Sequence, residues 1–288
     1  MDDSAPEFVS DPDAAFAAVA DPTRVDVLRA LAEHVRETGE QVCRFSTLRK
    51  RAGVEDPGRF RYHLEELRGH FVEKVDDGYR FTYAGGEIVG AILAGRYTDH
   101  ERLGPTPLDG QCSVCGEDIA GRYEQGRIEV DCEAGHQLLS WPLPPNAATH
   151  ATVAELAGVA TSLVLHAVDL SLQGHCPRCY GPTTARIEPS DEGEMPQFRA
   201  ACDTCAGLVV GPAWFALTVH PTVEAFYHDH DRPIREAMLW ELAHVDYEAT
   251  PADGEGVVRL SARLDDEVLH AVLAETGAVL STRVEPVE

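Results

Sequence analysis

The sequence predicts an α+β chain assembled from several units, on three observations. In the first 95 residues, apolar side chains recur at spacings of three and four and then give way to a short hairpin pattern. Eight Cys and His residues in the middle fall into two groups of four at short intervals. Near the C-terminus apolar residues alternate with polar ones, as on a half-buried strand.

Residues 8–95 read as one unit. Phe16, Val19 and Ala20 give a first short helix. Asp21 is placed to cap the next, with Pro22 at its first position. That helix puts Val25, Leu28, Leu31, Ala32 and Val35 on one face and ends at Gly39. "QVCRF" (41–45) reads as a short strand. Ser46 is expected to cap a third helix running to about Ala52, with Leu48 inward. Asp56 caps a fourth, with Pro57 near its start and Phe60, Leu64 and Leu67 on the apolar side. "FVEKV" and "YRFTYA" are strands joined through Asp76-Asp77-Gly78, a strong turn signal, and a further helix is expected over 86–94.

Helix, helix, strand, helix, helix, hairpin is the order of a winged helix-turn-helix. The wording agrees. "AVADPTRVDVLRAL" (18–31) resembles the opening of the ArsR-like transcriptional regulators, and "GRFRYHLEELRGHFVEKVDDGYRFTYAG" (58–85) resembles the recognition helix and wing of their haloarchaeal branch. The resemblance covers under a third of the chain. It implies a DNA-binding regulator that reads the major groove with the helix at 57–68. The metal sensors among those regulators place a cysteine pair on a helix near the recognition motif. No such pair is present here, so metal sensing is not implied.

Residues 96–110 hold two prolines and two glycines and read as a linker. Then comes C-x2-C-x16-C-x3-H, offering Cys112, Cys115, Cys132 and His136. "GRYE" and "RIEV", turning at Gln125-Gly126, form the hairpin that returns the second ligand pair to the first. At 176 begins C-x2-C-x22-C-x2-C, with Cys176, Cys179, Cys202 and Cys205, and "TTARI" and "QFRAA" flank an acidic loop as its hairpin. Four soft or borderline ligands at these intervals suit tetrahedral zinc. Two zinc ribbons are therefore expected, one over 111–145 with three cysteines and a histidine, one over 175–212 with four cysteines. The double CxxC is the stronger pattern; His136 alone is open to a bystander reading. Full sets of four ligands predict two structural zinc ions per chain, because a catalytic zinc keeps a position open for water. "HCPRC" has its proline inside the cysteine pair, where a nucleobase deaminase has it just ahead. Cys43, outside both groups, reads as a small core residue in preference to a sensor thiol.

Between the ribbons, over 146–174, Val153, Leu156, Ala160, Leu163, Ala167 and Leu170 form a heptad-like seam. It suits a homodimer contact or packing on its own chain. The tail, 213–288, has helical stretches "TVEAFYHDH" and "PIREAMLWELAH" followed by "VVRLSARL". A small antiparallel sheet over 257–285 is expected, with turns at Asp265-Asp266 and Thr276-Gly277; a helix over 266–275 competes. His228 and His230 in "HDHD" are read as solvent-facing at a helix end, since alternate residues do not share a helix face.

Composition bounds the function. The formal net charge is −25, from 49 Asp and Glu against 24 Lys and Arg, of which only Lys50 and Lys74 are lysines. An acidic, lysine-poor chain resembles the soluble proteins of halophilic archaea. No run approaching the ~18–20 apolar residues of a membrane span is evident, and "MDDSAPEF" has no apolar signal region, so a cytoplasmic protein with no membrane is expected. No nucleophile elbow, phosphate loop, dinucleotide fingerprint or H-E-x-x-H occurs, so no enzyme is expected. Residues 41–68 run against the overall charge, with seven Lys and Arg against four Asp and Glu, a net +3. Arg59, Arg61 and Tyr62 lie away from the apolar face of the 57–68 helix, toward base edges; Arg49, Lys50 and Arg80 are placed for phosphates. Double-stranded DNA is therefore the expected partner of a homodimeric regulator whose effector the sequence does not name. The competing reading is a protein-interaction adaptor whose ribbons dock partners and whose winged helix has lost DNA affinity. The acidic Asp76-Asp77 wing tip favours it.

Overall fold

The computed structural model describes residues 12–98, 101–188, 195–243, 246–252 and 256–287. The start of the first predicted unit (8–11) and most of the acidic loop of the second ribbon (189–194) lie outside these residues. The chain divides between 99 and 100 into two units, each with its own core.

The first unit runs α1 (Pro12–Val19), α2 (Pro22–Thr38), α3 (Phe45–Arg51), α4 (Pro57–Leu67), an antiparallel hairpin β1 (Val72–Val75) and β2 (Gly78–Phe81), then α5 (Tyr83–Leu93). Asp21 caps α2 by accepting from the N–H groups of Thr23 and Arg24, and Gly39 ends it at φ 73°. Asp56 caps α4 by accepting from Arg59 N at 2.5 Å. Four expectations need correction. "QVCRF" is not a strand: only Cys43 bridges to Tyr79, and α3 already begins at Phe45. Ser46 therefore lies inside α3, and Arg44 holds the cap position without a side-chain bond. In α1, Ala18 is buried while Phe16 is exposed, because a helix of two turns has room for one inward row. In α2 the buried residues are Val27, Leu28, Ala30, Leu31 and His34; Leu28 and Leu31 are as predicted and Ala32 packs on the core, while Val25 and Val35 are only partly buried. The inward face of α4 is as expected, Phe60, Leu64 and Leu67, with His63 added. Gly78 and Gly85 are fixed by close approach: a Cβ would stand 2.3 Å from Cys43 O and 1.9 Å from Phe71 O, respectively.

The second unit opens with an antiparallel sheet of β3 (Leu103–Gln111), β4 (Asp118–Glu124), β5 (Arg127–Cys132) and β6 (Gln137–Pro142), in sequence order. The expected linker is thus mostly strand. β3 tolerates Pro105 and Pro107 because it is an edge, and Leu103 and Leu108 pack on the core. After α6 (Pro145–Ala148) comes α7 (Val153–Leu172), capped by Thr152 and Glu155 in a reciprocal box. By length and composition α7 is long enough to cross a membrane, contrary to the reading of run lengths. Ten of its 20 residues are buried, among them Val153, Leu156, Ala160 and Ala167, and it packs on β4, β5 and β6 and on the next sheet. The seam is therefore taken up within its own unit; Leu163 faces out.

That next sheet is β7 (Thr183–Glu188), β8 (Gln197–Cys202) and β9 (Leu208–Pro212), followed by a 3-10 turn (Ala213–Leu217) and α8 (Pro221–Asp229). The predicted helix over "PIREAMLWELAH" shrinks to α9 (Leu239–Leu242). Last comes a four-stranded antiparallel meander of β10 (Asp246–Pro251), β11 (Gly256–Leu264), β12 (Glu267–Ala274) and β13 (Val279–Pro286). The stretch 266–275 is thus strand, with turns where expected. Val258, Leu260, Ala262 and Leu264 are buried with Leu269, Ala271 and Leu273 of β12. The two ribbon sheets, α7 and the meander share one core, which explains why ribbons with little interior of their own can pack here.

Candidate functional site

Each ligand group is brought together by a knuckle, a tight turn holding two cysteines, at one end of a sheet. In the first, Cys112 directly follows β3 and Cys115 lies in the turn; β5 delivers Cys132, and His136 follows it. Cys132 Sγ lies 3.4 Å and Cys112 Sγ 3.6 Å from His136 Nδ1, and Cys115 Sγ lies 3.7 Å from Cys132 Sγ. In the second, Cys176–Cys205 and Cys179–Cys202 are each 3.6 Å apart. In each group of four the ligand atoms lie within 4.8 Å of one another. A tetrahedron with Zn–S bonds of about 2.3 Å has S–S edges of about 3.8 Å, so both donor sets fit one zinc ion. No disulfide links them.

The backbone is turned toward the sulfurs. Val114 N donates to Cys112 Sγ at 3.4 Å, Arg178 N to Cys176 Sγ at 3.4 Å, and Thr204 N and Cys205 N to Cys202 Sγ at 3.3 and 3.4 Å. These last two donors pull the Cys202 thiol down to about 6. Burial pushes the Cys132 thiol up, but the His136 backbone N–H and the neighbouring ligands outweigh it and bring the group to about 7. One thiol in each group is thus held toward thiolate, the form that binds metal; Cys115 and Cys179 each have a lowering backbone hydrogen bond, at Glu117 and Gly181, but burial and the neighbouring thiols outweigh it and raise them, Cys179 to about 12. The residue after each knuckle is left-handed: Gly116 at φ 76°, Tyr180 at φ 59° and Ala206 at φ 53°. Gly207 lies so close that a Cβ would stand 3.2 Å from the sulfurs of both Cys176 and Cys205. The repeat C-x-x-C-x-G at 176–181 and 202–207 carried this close approach in the sequence, and ligand spacing alone did not reveal it.

The exposed side of α4 is the other candidate. Arg59, Arg61 and Tyr62 all face solvent, Tyr62 with 57% of its surface exposed. The acids of the same helix are engaged elsewhere: Glu65 with Arg68, and Glu66 with Arg24 at 3.6 Å. Among the described residues Arg59 has no side-chain partner, and Arg61 only lies over the Phe45 ring at 5.8 Å. Lys50 is exposed. Arg49 and Arg80 are committed within the fold. Arg49 Nη1 donates to the carbonyls of Val54 and Glu55 at 2.8 and 2.5 Å, tying α3 to the loop before α4. Arg80 Nε donates to Glu73 across the hairpin at 2.6 Å. His63, on the buried face of α4, sets Nδ1 3.5 Å from the Asp21 carboxylate, so α4 rests on the cap of α2. Of the two "HDHD" histidines only His228 faces solvent as expected; the His230 side chain is nearly buried against Phe226, turning Nδ1 to Phe226 O at 2.7 Å and Nε2 to Glu267 at 3.6 Å, and the motif gathers no metal cluster among the described residues.

The chain belongs to the family described as Domain of unknown function (DUF7351), whose model matches residues 109–279, more than half the chain. Residues 12–92 match a second family model, Domain of unknown function (DUF7347). The boundary between the two matches falls near the boundary between the two structural units. No curated protein matches the chain.

Proposed function

We propose that the chain is a DNA-binding transcriptional regulator of ArsR-like character, with residues 12–93 acting as a winged helix-turn-helix. One observation carries the reading: Arg59, Arg61 and Tyr62 project from the N-terminal half of α4, and the acids beside them pair with Arg24 and Arg68 instead. An isolated cationic face on a chain of net charge −25 is unexpected unless a polyanion meets it. In a helix-turn-helix, α3 crosses the backbone and the first turns of α4 enter the major groove, where an arginine binds guanine with two hydrogen bonds. Lys50 is left for a phosphate. Both ligand groups hold structural zinc, since four protein ligands close each one and leave no open position for substrate. The zinc would stabilise the folded knuckles and do no chemistry. The protein acts as a homodimer in the salt-rich cytoplasm of a halophile, and no enzyme activity is assigned.

A second reading is supported by the hairpin. Its tip, Asp76-Asp77, is acidic, and Arg80 is held by Glu73, so the wing offers DNA little positive charge. On that reading the protein is a zinc-ribbon adaptor that docks other proteins. Gel-shift titration against genomic fragments in molar KCl separates the two. Saturable retention of a subset of fragments supports the regulator; no retention of any fragment supports the adaptor.

A further inference from the structure

Ser261, His270 and Glu285 meet on the outward face of the C-terminal meander, outside both ligand groups. In β11 the inward row is Val258, Leu260, Ala262 and Leu264, so Ser261 turns to the other face. His270 stands directly opposite it on β12, where Leu269 and Ala271 take the inward places. Arg283 of β13 stands opposite His270, and Glu285 lies two residues further along on the same face. Three adjacent strands thus bring a hydroxyl, an imidazole and a carboxylate together.

Ser261 Oγ lies 2.7 Å from His270 Nδ1, and His270 Nε2 lies 3.8 Å from Glu285 Oε2. A carboxylate beside Nε2 favours the tautomer with its proton there, which leaves Nδ1 to accept from the hydroxyl. At its distance Glu285 serves as an ion-pair partner once the ring carries both protons. The order is that of nucleophile, base and orienting carboxylate. The His270 and Glu285 side chains are 35% and 33% exposed, so solutes reach them. The same face carries Glu248, opposite Ser261, with Arg259 and Arg263 on either side of Ser261 along β11. Glu285 also pairs with Arg283. β11 is hydrogen-bonded on both edges, to β10 and to β12. Its N–H groups are therefore committed to the sheet and do not form an oxyanion hole beside Ser261. That restricts the chemistry to acyl groups with a good leaving group.

We propose that Ser261 is an activated nucleophile that takes acyl groups from small carboxylic esters with good leaving groups, with His270 as its base and Glu285 as a positioning residue. Ser261 Oγ bonds to the carbonyl carbon as its proton passes to His270. The ester C–O bond then breaks, and His270 returns the proton to the departing alkoxide. Water repeats the sequence at the acyl-serine, releasing the acid and restoring the hydroxyl. The site lies within residues 261–285 and stands whether or not the chain binds DNA.

The test uses the full zinc-loaded chain in KCl that keeps it folded. It is labelled with a fluorophosphonate and mapped by peptide mass, and its hydrolysis of p-nitrophenyl acetate is followed in parallel. The phosphonyl group is expected on Ser261, with loss of fluoride, in the native chain and not in the heat-unfolded one. Ser261→Ala is expected to abolish that label, and Ser261→Cys to restore acetylation at this position by the ester. His270→Gln is expected to slow both reactions by about 100-fold, the low end of general-base catalysis. Glu285→Gln separates positioning from a merely structural role. Removing an anion from beside the ring keeps the imidazole neutral to lower pH, so the rate profile should move to lower pH. These side chains face outward, so the variants should keep the wild-type circular dichroism; a His270→Gln chain that does not is replaced by His270→Asn, expected to slow both reactions as much. Label on a different residue, no label on the folded wild type, or a rate indifferent to loss of the imidazole would overturn the proposal.

Discussion

Arg49 and Arg59 sit ten positions apart in the same basic segment, and the sequence assigned DNA contact to both. Their surroundings separate them. Arg49 is a structural cation, holding two backbone carbonyls of the α3–α4 loop. Arg49→Ala should leave those carbonyls without their donor and lower the stability of the first unit by about 1.5–3 kcal/mol, the range for hydrogen bonds to charged groups. Arg59→Ala should leave stability within about 0.5 kcal/mol, as for an unengaged surface position. If the regulator reading holds, it should weaken specific DNA binding by about 1–3 kcal/mol while changing affinity for unrelated DNA far less. Thermal unfolding and gel-shift on the two variants read these effects separately. Loss of stability in Arg59→Ala, or its absence in Arg49→Ala, would mean that the roles are misassigned. Residue type and helical spacing could not distinguish the two arginines, because what differs is the course of the loop after Ala52.

The elements were legible in the sequence to the extent that their signals were local. Caps at Asp21 and Asp56, the Asp76-Asp77-Gly78 turn, both ligand intervals and the meander turns are all short-range features, and all lie where the spacing put them. The Ser46 cap is a local signal that failed, because α3 already begins at Phe45; the larger failures were elements decided by distant partners. β3 is a strand because β4 pairs with it, although its prolines and glycines alone spell a linker. The α7 seam suits a dimer contact and packing on its own chain equally until two sheets of its own unit are seen to cover it. The ligand groups carry their own predictions. Purified without chelator, the chain should hold about two zinc ions, and Cys176→Ser should reduce this to about one. Because the second ribbon shares a core with α7 and the meander, the loss should spread through the second unit while the first keeps its helices. Amide exchange restricted to 176–207 in that variant would count against the shared core. Acid should release the metal, because zinc is held by thiolates and protonation removes those ligands. A chromophoric chelator followed through acidification reads the release, and metal retained through full acidification would count against thiolate ligation.

Over the whole molecule the governing quantity is charge. Residues 41–68 carry +3, which leaves −28 for the remainder of a chain whose total is −25. For an ordinary DNA-binding protein each phosphate contact releases counterions, so affinity falls steeply as salt rises. Here a small cationic face belongs to a body that repels DNA. In dilute salt that repulsion reaches tens of ångströms, since the Debye length is ~30 Å at 0.01 M. As KCl rises from about 0.1 M to about 2 M the length contracts from ~10 Å to below 3 Å, and the long-range penalty is removed. On the regulator reading, contacts made to DNA at hydrogen-bond distance by Arg59 and Arg61 would persist, because no layer of salt fits between the partners. Specific binding should therefore hold or strengthen over this range. Folding contributes in the same direction, because an acidic chain is destabilised by self-repulsion when its charges are unscreened. Circular dichroism at each salt concentration separates the two contributions: the prediction concerns only concentrations at which the helical signal is constant. A folded protein whose affinity for its site declines with a steep negative slope in log salt would show that phosphate contacts dominate. The acidic body would then play no part in the proposed recognition of DNA.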